Sequence, residues 1–188
     1  MQASMHTLTT ARLTLRQWRE ADLVPFAALH ADPVAMQFMP RCLSRAESDD
    51  FARRLQGQLA ARGFGLWAVE HRAGGEFLGC VGLAAPGFEA HFTPCTEIAW
   101  RLAREHWGCG YATEAARACL QFAFQTLALP EVVSFTALDN LRSQAVMRRL
   151  GMRQDGEFEH PRLPPGHRLR SHVLYRIARG DWPPPVGA

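Results

Sequence analysis

The stretch from Thr96 to Ala128 constrains the fold more than any other. It runs from a strand-like segment, Thr96 to Leu102, through glycines at 108 and 110, into a helical pattern from Tyr111 to Ala128. Within that pattern Ala112, Ala116, Cys119, Leu120, Ala123 and Leu127 recur at helical spacing, an apolar stripe of small residues that lets a helix approach a sheet closely. A strand that turns directly into a helix leaves the first amides of the helix without carbonyl partners. Together with the positive end of the helix dipole, those amides can hold an anion. Gly108-Cys109-Gly110-Tyr111-Ala112-Thr113 lacks a glycine at its sixth position, which excludes the dinucleotide fingerprint. Two readings of the turn stand: a tight structural turn, or a phosphate cradle built mainly of amides.

The rest of the chain supplies a sheet for this unit. Alternation in Ala11-Arg12-Leu13-Thr14-Leu15-Arg16 predicts a half-buried first strand. Helices are predicted over Glu20 to Ala31, ending before Pro33, and from Ser44 to Ala61, where Ser44 and Glu47 form a capping box. Phe64 to Glu70 and Phe77 to Leu83 flank Arg72-Ala73-Gly74-Gly75 and read as an antiparallel hairpin. Beyond Pro130, Val132 to Leu138 is a strand, Asn140 caps a short helix to Leu150, and Gly151 suits its left-handed stop. Met152 to Phe158 and Leu169 to Ile177 complete the strands. The order β-α-α-β-β-β-α-β-α-β-β describes an α/β sheet of mixed direction, one domain over residues 9–182, with a short Pro-rich tail at 183–188.

Composition excludes several chemistries. All 21 basic residues are arginine, so Schiff-base chemistry and the P-loop lysine are absent. A net charge of +3 is too small to make nucleic acid or an anionic membrane the main partner. The cysteines, Cys42, Cys80, Cys95, Cys109 and Cys119, are odd in number and form no C-x-x-C pair, which favours a reducing compartment over a disulfide framework. Met1 to Thr10 lacks the apolar run of a signal peptide and no stretch reaches the length of a membrane span, so a cytoplasmic location is expected. The histidines have no metal-ligand spacing, and no metal is expected.

Around the glycine turn lie Glu97-Ile98-Ala99-Trp100-Arg101-Leu102, then Asp139-Asn140-Leu141-Arg142-Ser143 and Leu150-Gly151-Met152. With His106-Trp107-Gly108-Cys109-Gly110-Tyr111-Ala112-Thr113-Glu114-Ala115 and the opening Thr9 to Arg16, these segments resemble the GNAT superfamily of N-acetyltransferases. The likeness is to the branch similar to ribosomal-protein N-terminal-alanine acetyltransferases, and it spans almost the whole chain. It implies a mixed, mostly antiparallel twisted sheet flanked by helices, splayed to form an acetyl-CoA groove. Acetyl-CoA would be the co-substrate, its pyrophosphate on the amides of Gly108, Cys109, Gly110, Tyr111, Ala112 and Thr113. Backbone groups of Trp100, Arg101 and Leu102 would hold the pantetheine arm, with Asn140 contacting it. The acceptor would be a primary amine, either a small molecule or a protein N-terminus. A homodimer is compatible with the pattern.

The resemblance also distributes the chemistry. Glu97 matches a glutamate that serves as general base, directly or through water; a solvated strand carboxylate is the plain alternative. The tyrosine acid of many superfamily members is replaced by Met147, which makes Ser143 the hydroxyl nearest the sulfur. Helix capping alone also accounts for Asn140 and Ser143. Glu105 stands where the superfamily often has glutamine or arginine and is a poor phosphate ligand. Cys109, at a helix start, is a rival nucleophile with no evident His–carboxylate relay. Tyr111 is assigned to packing or phosphate contact. Phe38, Met39 and Phe88 to Phe92 are candidates for the acceptor cleft, and the arginine-rich loop 160–170 for its entrance. A non-catalytic acyl-CoA-binding sensor module is the rival function; an RNA-binding module lacks the required basic excess.

Overall fold

The computed structural model describes residues 6–182, so the tail expected at 183–188 lies outside the described residues. Eight strands form one sheet in the order β1-β2-β3-β4-β5-β6-β8-β7: β1 Leu8–Thr9, β2 Leu13–Arg16, β3 Leu66–His71, β4 Phe77–Ala84, β5 Glu97–Leu102, β6 Glu131–Ala137, β7 Arg153–Glu159 and β8 Ser171–Ala178. The helices are α1 Leu23–Ala31, α2 Arg45–Arg62, α3 Tyr111–Gln125 and α4 Leu141–Arg149. All neighbouring strands pair antiparallel except β5 and β6, which run parallel. The expected mixed sheet is present. The two-residue β1 is an addition that no periodicity could announce.

Local chemistry sets most boundaries where the sequence places them. At the start of α2 the Ser44 hydroxyl accepts from the Glu47 amide, while the Ser44 amide donates to the Glu47 carboxylate at 2.8 Å. Helix α3 ends at Gln125, three residues before the predicted Ala128. There the Leu127 amide reaches back to Phe122 and the Leu129 amide to Ala123, with Ala128 at φ +52°. That is a left-handed helix stop made with alanine, so the glycine that normally signals it is missing from the sequence.

The two faces of the sheet carry different cores. Trp67 and Val69 of β3 face α3, whose Ala115, Ala116, Cys119, Leu120 and Ala123 are fully buried. Ala68 and Cys80 point the other way, to Trp18, Phe26 and Leu55 beneath α1 and α2. Arg16 fixes this second layer: its guanidinium grips Asp22 through two bonds of 2.8 and 2.9 Å and Glu70 through one of 2.7 Å. Among the described residues no helix is long and apolar enough to cross a membrane.

The decisive feature for function is the junction of the parallel pair. β5 and β6 meet only at Glu97 and Val133, and the last tie is a 2.9 Å bond from the Ser134 hydroxyl to the Ile98 carbonyl. Beyond it the strands diverge.

Candidate active site

The divergence opens a cleft of about 1490 Å³ between the two halves of the sheet. Strand alternation fixes which backbone groups border it. The Ala103 amide bonds Leu78 of β4, whereas the Ile98 carbonyl faces β6, so the odd residues of β5 bond β4 and the even ones face the gap. Trp100 therefore presents its amide and carbonyl to the cleft. Leu102 presents its amide, its carbonyl being taken by the Trp107 indole at 2.8 Å. Arg101, grouped with these two for its backbone, instead directs its backbone to β4 and its side chain to the opposite face.

At one end of the cleft stands the start of α3. Gly108 and Gly110 have φ of +77° and +81°, which only glycine adopts without strain, and Gly110 caps the helix. The first in-helix bond is that of the Glu114 amide to Gly110. Among the described residues no backbone carbonyl takes up the amides of residues 108 to 113. These six donors, at the positive end of α3, suit a diphosphate. Cys109 is exposed and its thiol faces the Trp107 carbonyl at 3.6 Å; among the described residues no histidine or carboxylate is bonded to it.

Sequence reasoning missed the charge beside this cradle. The Arg12 guanidinium lies over the Tyr111 ring at 4.6 Å and would stand 3.5 Å from a Cβ at Gly110. Its Nε donates to Glu114 at 2.7 Å, and the Thr10 hydroxyl donates to the same carboxylate at 2.6 Å. Although desolvation opposes them, these bonds hold the Glu114 carboxyl below its ordinary value. Tyr111 thus packs under Arg12 and edge-on to His71, and it also lines the cleft. Arg117, Arg142 and Arg149 also line the cleft, Arg142 lying over the Trp107 ring at 4.6 Å. Arg12 is about a hundred residues from the loop in sequence, and no spacing rule connects them. Glu105 is exposed on the tight turn Arg104–His106.

The other face of β5 carries Glu97 and Arg101. Glu97 borders the cleft yet is largely enclosed, and desolvation pushes its carboxyl up to about 8, the Arg101 charge pulling weakly the other way. Arg101 is bonded at 2.7 Å to Nε2 of His30 and at 2.9 Å to the Met39 sulfur. Because a guanidinium only donates, Nε2 of His30 accepts, and Nδ1 carries the proton shared at 2.8 Å with the Ser48 hydroxyl. Burial, aided by Arg101, pushes His30 down to about 4 and keeps it neutral.

Ser143 and Asn140 face the cleft from the start of α4. The Ser143 oxygen accepts from the Asn140 side-chain amide at 3.1 Å and the Trp100 indole at 3.3 Å, which leaves its own proton free to donate. Asn140 caps the helix through its Oδ1, and its amide also donates to Thr136 at 2.8 Å. Both its N–H groups are thereby used, and it acts first as the residue that orients Ser143. Met147 is buried in the core beneath them.

Phe38 and Met39 line the cleft as expected. Phe88 and Phe92 instead pack with Phe135 and Phe158 into an aromatic cluster that also holds His160 and His172. In the loop 160–170 Arg170 is ion-paired to Glu159 at 2.7 Å, whereas Arg162 and Arg168 keep their charge and donate to the carbonyls of Gly87 and, at 2.5 Å, Gln37.

A family model described as an acetyltransferase (GNAT) domain matches residues 12–153. Among curated proteins the chain is similar to the FsC-acetyl coenzyme A-N(2)-transacetylase of Aspergillus fumigatus, 34% identical over 191 residues, covering 94% of this chain and 77% of that protein. Among solved structures it is similar to an acetyltransferase from Agrobacterium tumefaciens, with a TM-score of 0.75 and 30% identity over 93% of this chain and 95% of that one. It shares its fold with the ribosomal-protein-S5-alanine acetyltransferase of Vibrio fischeri, TM-score 0.73 at 17% identity, covering 95% and 100% of the two chains.

Proposed function

The chain belongs to the GNAT acetyltransferase family and is an acetyl-CoA-dependent acetyltransferase; from that premise we propose that it transfers the acetyl group directly to a primary amine, both substrates being bound together in the cleft. The observation that carries this reading is the conjunction of six unpaired amides at the start of α3 with a carboxyl of raised pKa on the opposite face of the adjoining strand. The name of the Aspergillus relative, an N(2)-transacetylase, supports nitrogen as the acceptor atom.

The residues present fit acetyl-CoA. Amides 108 to 113 and Arg12 would hold its diphosphate, the backbone edge at Trp100 and Leu102 its pantetheine arm, and Arg117, Arg142 and Arg149 would add positive charge along the cleft. When bound, it supplies the activated thioester. Glu97 takes the proton that the amine nitrogen loses as the N–C bond forms, and a carboxyl near 8 is matched to that task at neutral pH. As the C–S bond breaks, the Ser143 hydroxyl gives its proton to the sulfur and is restored from water, while Glu97 releases its proton to solvent. The products are an amide and a free thiol.

Thiol release measured against both substrates tests this. Intersecting double-reciprocal lines and an active Cys109→Ala variant are expected; parallel lines with an inactive Cys109→Ala would replace direct transfer by an acyl-cysteine route. Binding of acetyl-CoA without thiol release for any amine would make the protein a sensor. Ser143→Ala is expected to lower kcat by about 10- to 100-fold with little change in acetyl-CoA affinity, since water can replace a lost proton donor only in part. An unaltered kcat would remove Ser143 from the acid role.

A further inference from the structure

Arg16 and Arg101, two enclosed arginines of the sheet, are treated very differently by the fold. Arg16 has two carboxylates against it, at 2.7 and 2.8 Å. Arg101 has none: among the described residues no carboxylate lies within 4.0 Å of its guanidinium, and its two bonds go to a neutral imidazole and a thioether. Glu97 acts on it only across space, and Cys80 beside it is held uncharged by burial, its thiol pushed up to about 11. The Phe51 ring, 5.7 Å away, adds a weak attraction. A guanidinium has five N–H donors, and a thioether is among the poorest acceptors for one. Among the described residues no side-chain nitrogen is sealed away without a partner, so the Arg101 Nε, which makes neither of these bonds, retains some solvent exposure, and Arg101 lines the cleft.

The fold nevertheless holds this charge in a fixed pose. Ser48 fixes the tautomer of His30, and His30 fixes Arg101, a chain of 2.8 and 2.7 Å bonds that is buried at both residues feeding it. Glu97 and Arg101 share one face of β5, their Cα atoms roughly 13 Å apart by strand rise. Both line the cleft, as do Phe38 and Met39.

We propose that Arg101 is a specificity residue selecting an acceptor that carries a carboxylate as well as its amine, an amino acid, with the carboxylate on the guanidinium and the amine toward Glu97. This rests on the reading of the cleft as the site of transfer to an amine. A planar guanidinium with spare donors matches a carboxylate in shape and charge, and repels polyamines and other cationic acceptors. The Met39 sulfur marks the direction from which a stronger acceptor would engage it.

The test compares free amino acids with their C-terminal amides and with the corresponding decarboxylated amines, using the whole protein and saturating acetyl-CoA. Thiol release should favour the carboxylates by about 100-fold in kcat/KM, the scale of losing one partner of an enclosed charge pair. Calorimetry with the CoA-loaded protein should show amino acid binding and none of the amides. Arg101→Gln should bring the ratio close to one and abolish that binding. If the variant fails to fold, the wild-type ratio decides alone. Amides or polyamines acetylated as fast as carboxylates would overturn the role of Arg101 and leave amine acetylation standing. No thiol release with any amine, acetyl-CoA binding being intact, would overturn both.

Discussion

Replacing Glu97 by glutamine is expected to lower kcat by about 100- to 1,000-fold while leaving acetyl-CoA affinity within about twofold. The amide keeps the size and polarity of the side chain but cannot accept the proton that the amine must lose. The pH profile gives the sharper readout. With its carboxyl raised to about 8, Glu97 is mostly protonated at neutrality, so kcat/KM of the unaltered enzyme should climb through about 8 and level off above it. In Glu97→Gln that limb should vanish. The same shift acts on stability with a definite sign. A carboxyl whose pKa is higher folded than unfolded stabilises the fold fully below its unfolded value near 4.5, and that contribution is lost as pH rises through about 8. Glu97→Gln should therefore match the unaltered protein at low pH and exceed it near pH 9 by on the order of 2 kcal/mol, reduced from the full linkage because the group opens to the cleft. A variant with normal turnover and an unchanged pH limb would remove Glu97 from the base role.

What could be read from the sequence was what is local. The strand–glycine–helix unit, the capping box at Ser44 and Glu47, the hairpin and the Asn140 cap depend on residues within a few positions of one another, and the structure places each where the pattern does. The charge around the cradle was hidden because Arg12 and Thr10 reach Glu114 across the sheet. The acceptor side was hidden for a different reason. The resemblance points to the backbone of Arg101, whereas alternation from Glu97 puts the two side chains on one face. What no pattern could supply is that His30, on a helix seventy-one residues earlier, would lock it. Asn140 shows a third limit: its type suits both a cap and a ligand contact, and only the partners of its two N–H groups show how little of it is left for the latter.

Glycine at position 82 is another case of long-range necessity, and its replacement should produce a large loss of stability. Gly82 lies in the middle of β4, opposite Leu66 of β3 and Ala99 of β5, with no unusual backbone angle to betray it. A Cβ there would fall 1.9 Å from the Gly65 carbonyl oxygen and 2.8 Å from both the Gly65 carbonyl carbon and the Leu66 Cα. All are backbone atoms, so no side chain can rotate to make room. The Leu83 amide also bonds that Gly65 carbonyl at 3.0 Å. Gly82→Ala must push the start of β3 outward and break this bond, at a cost of about 3 kcal/mol or more. At roughly 2–4 °C per kcal/mol for a chain of this size, the melting temperature should fall by about 10 °C. Because Ala99 sits opposite Gly82 and precedes Trp100, the cleft edge should shift too, and acetyl-CoA affinity should drop with stability. Gly57→Ala is the matched control: at mid-α2, with nothing within 4 Å of its Cβ, it should raise stability by about 1 kcal/mol through helix propensity alone. A melting temperature for Gly82→Ala close to that of the unaltered protein would mean that the turn before β3 does not press on β4 as described, and that the cleft edge is held by other means.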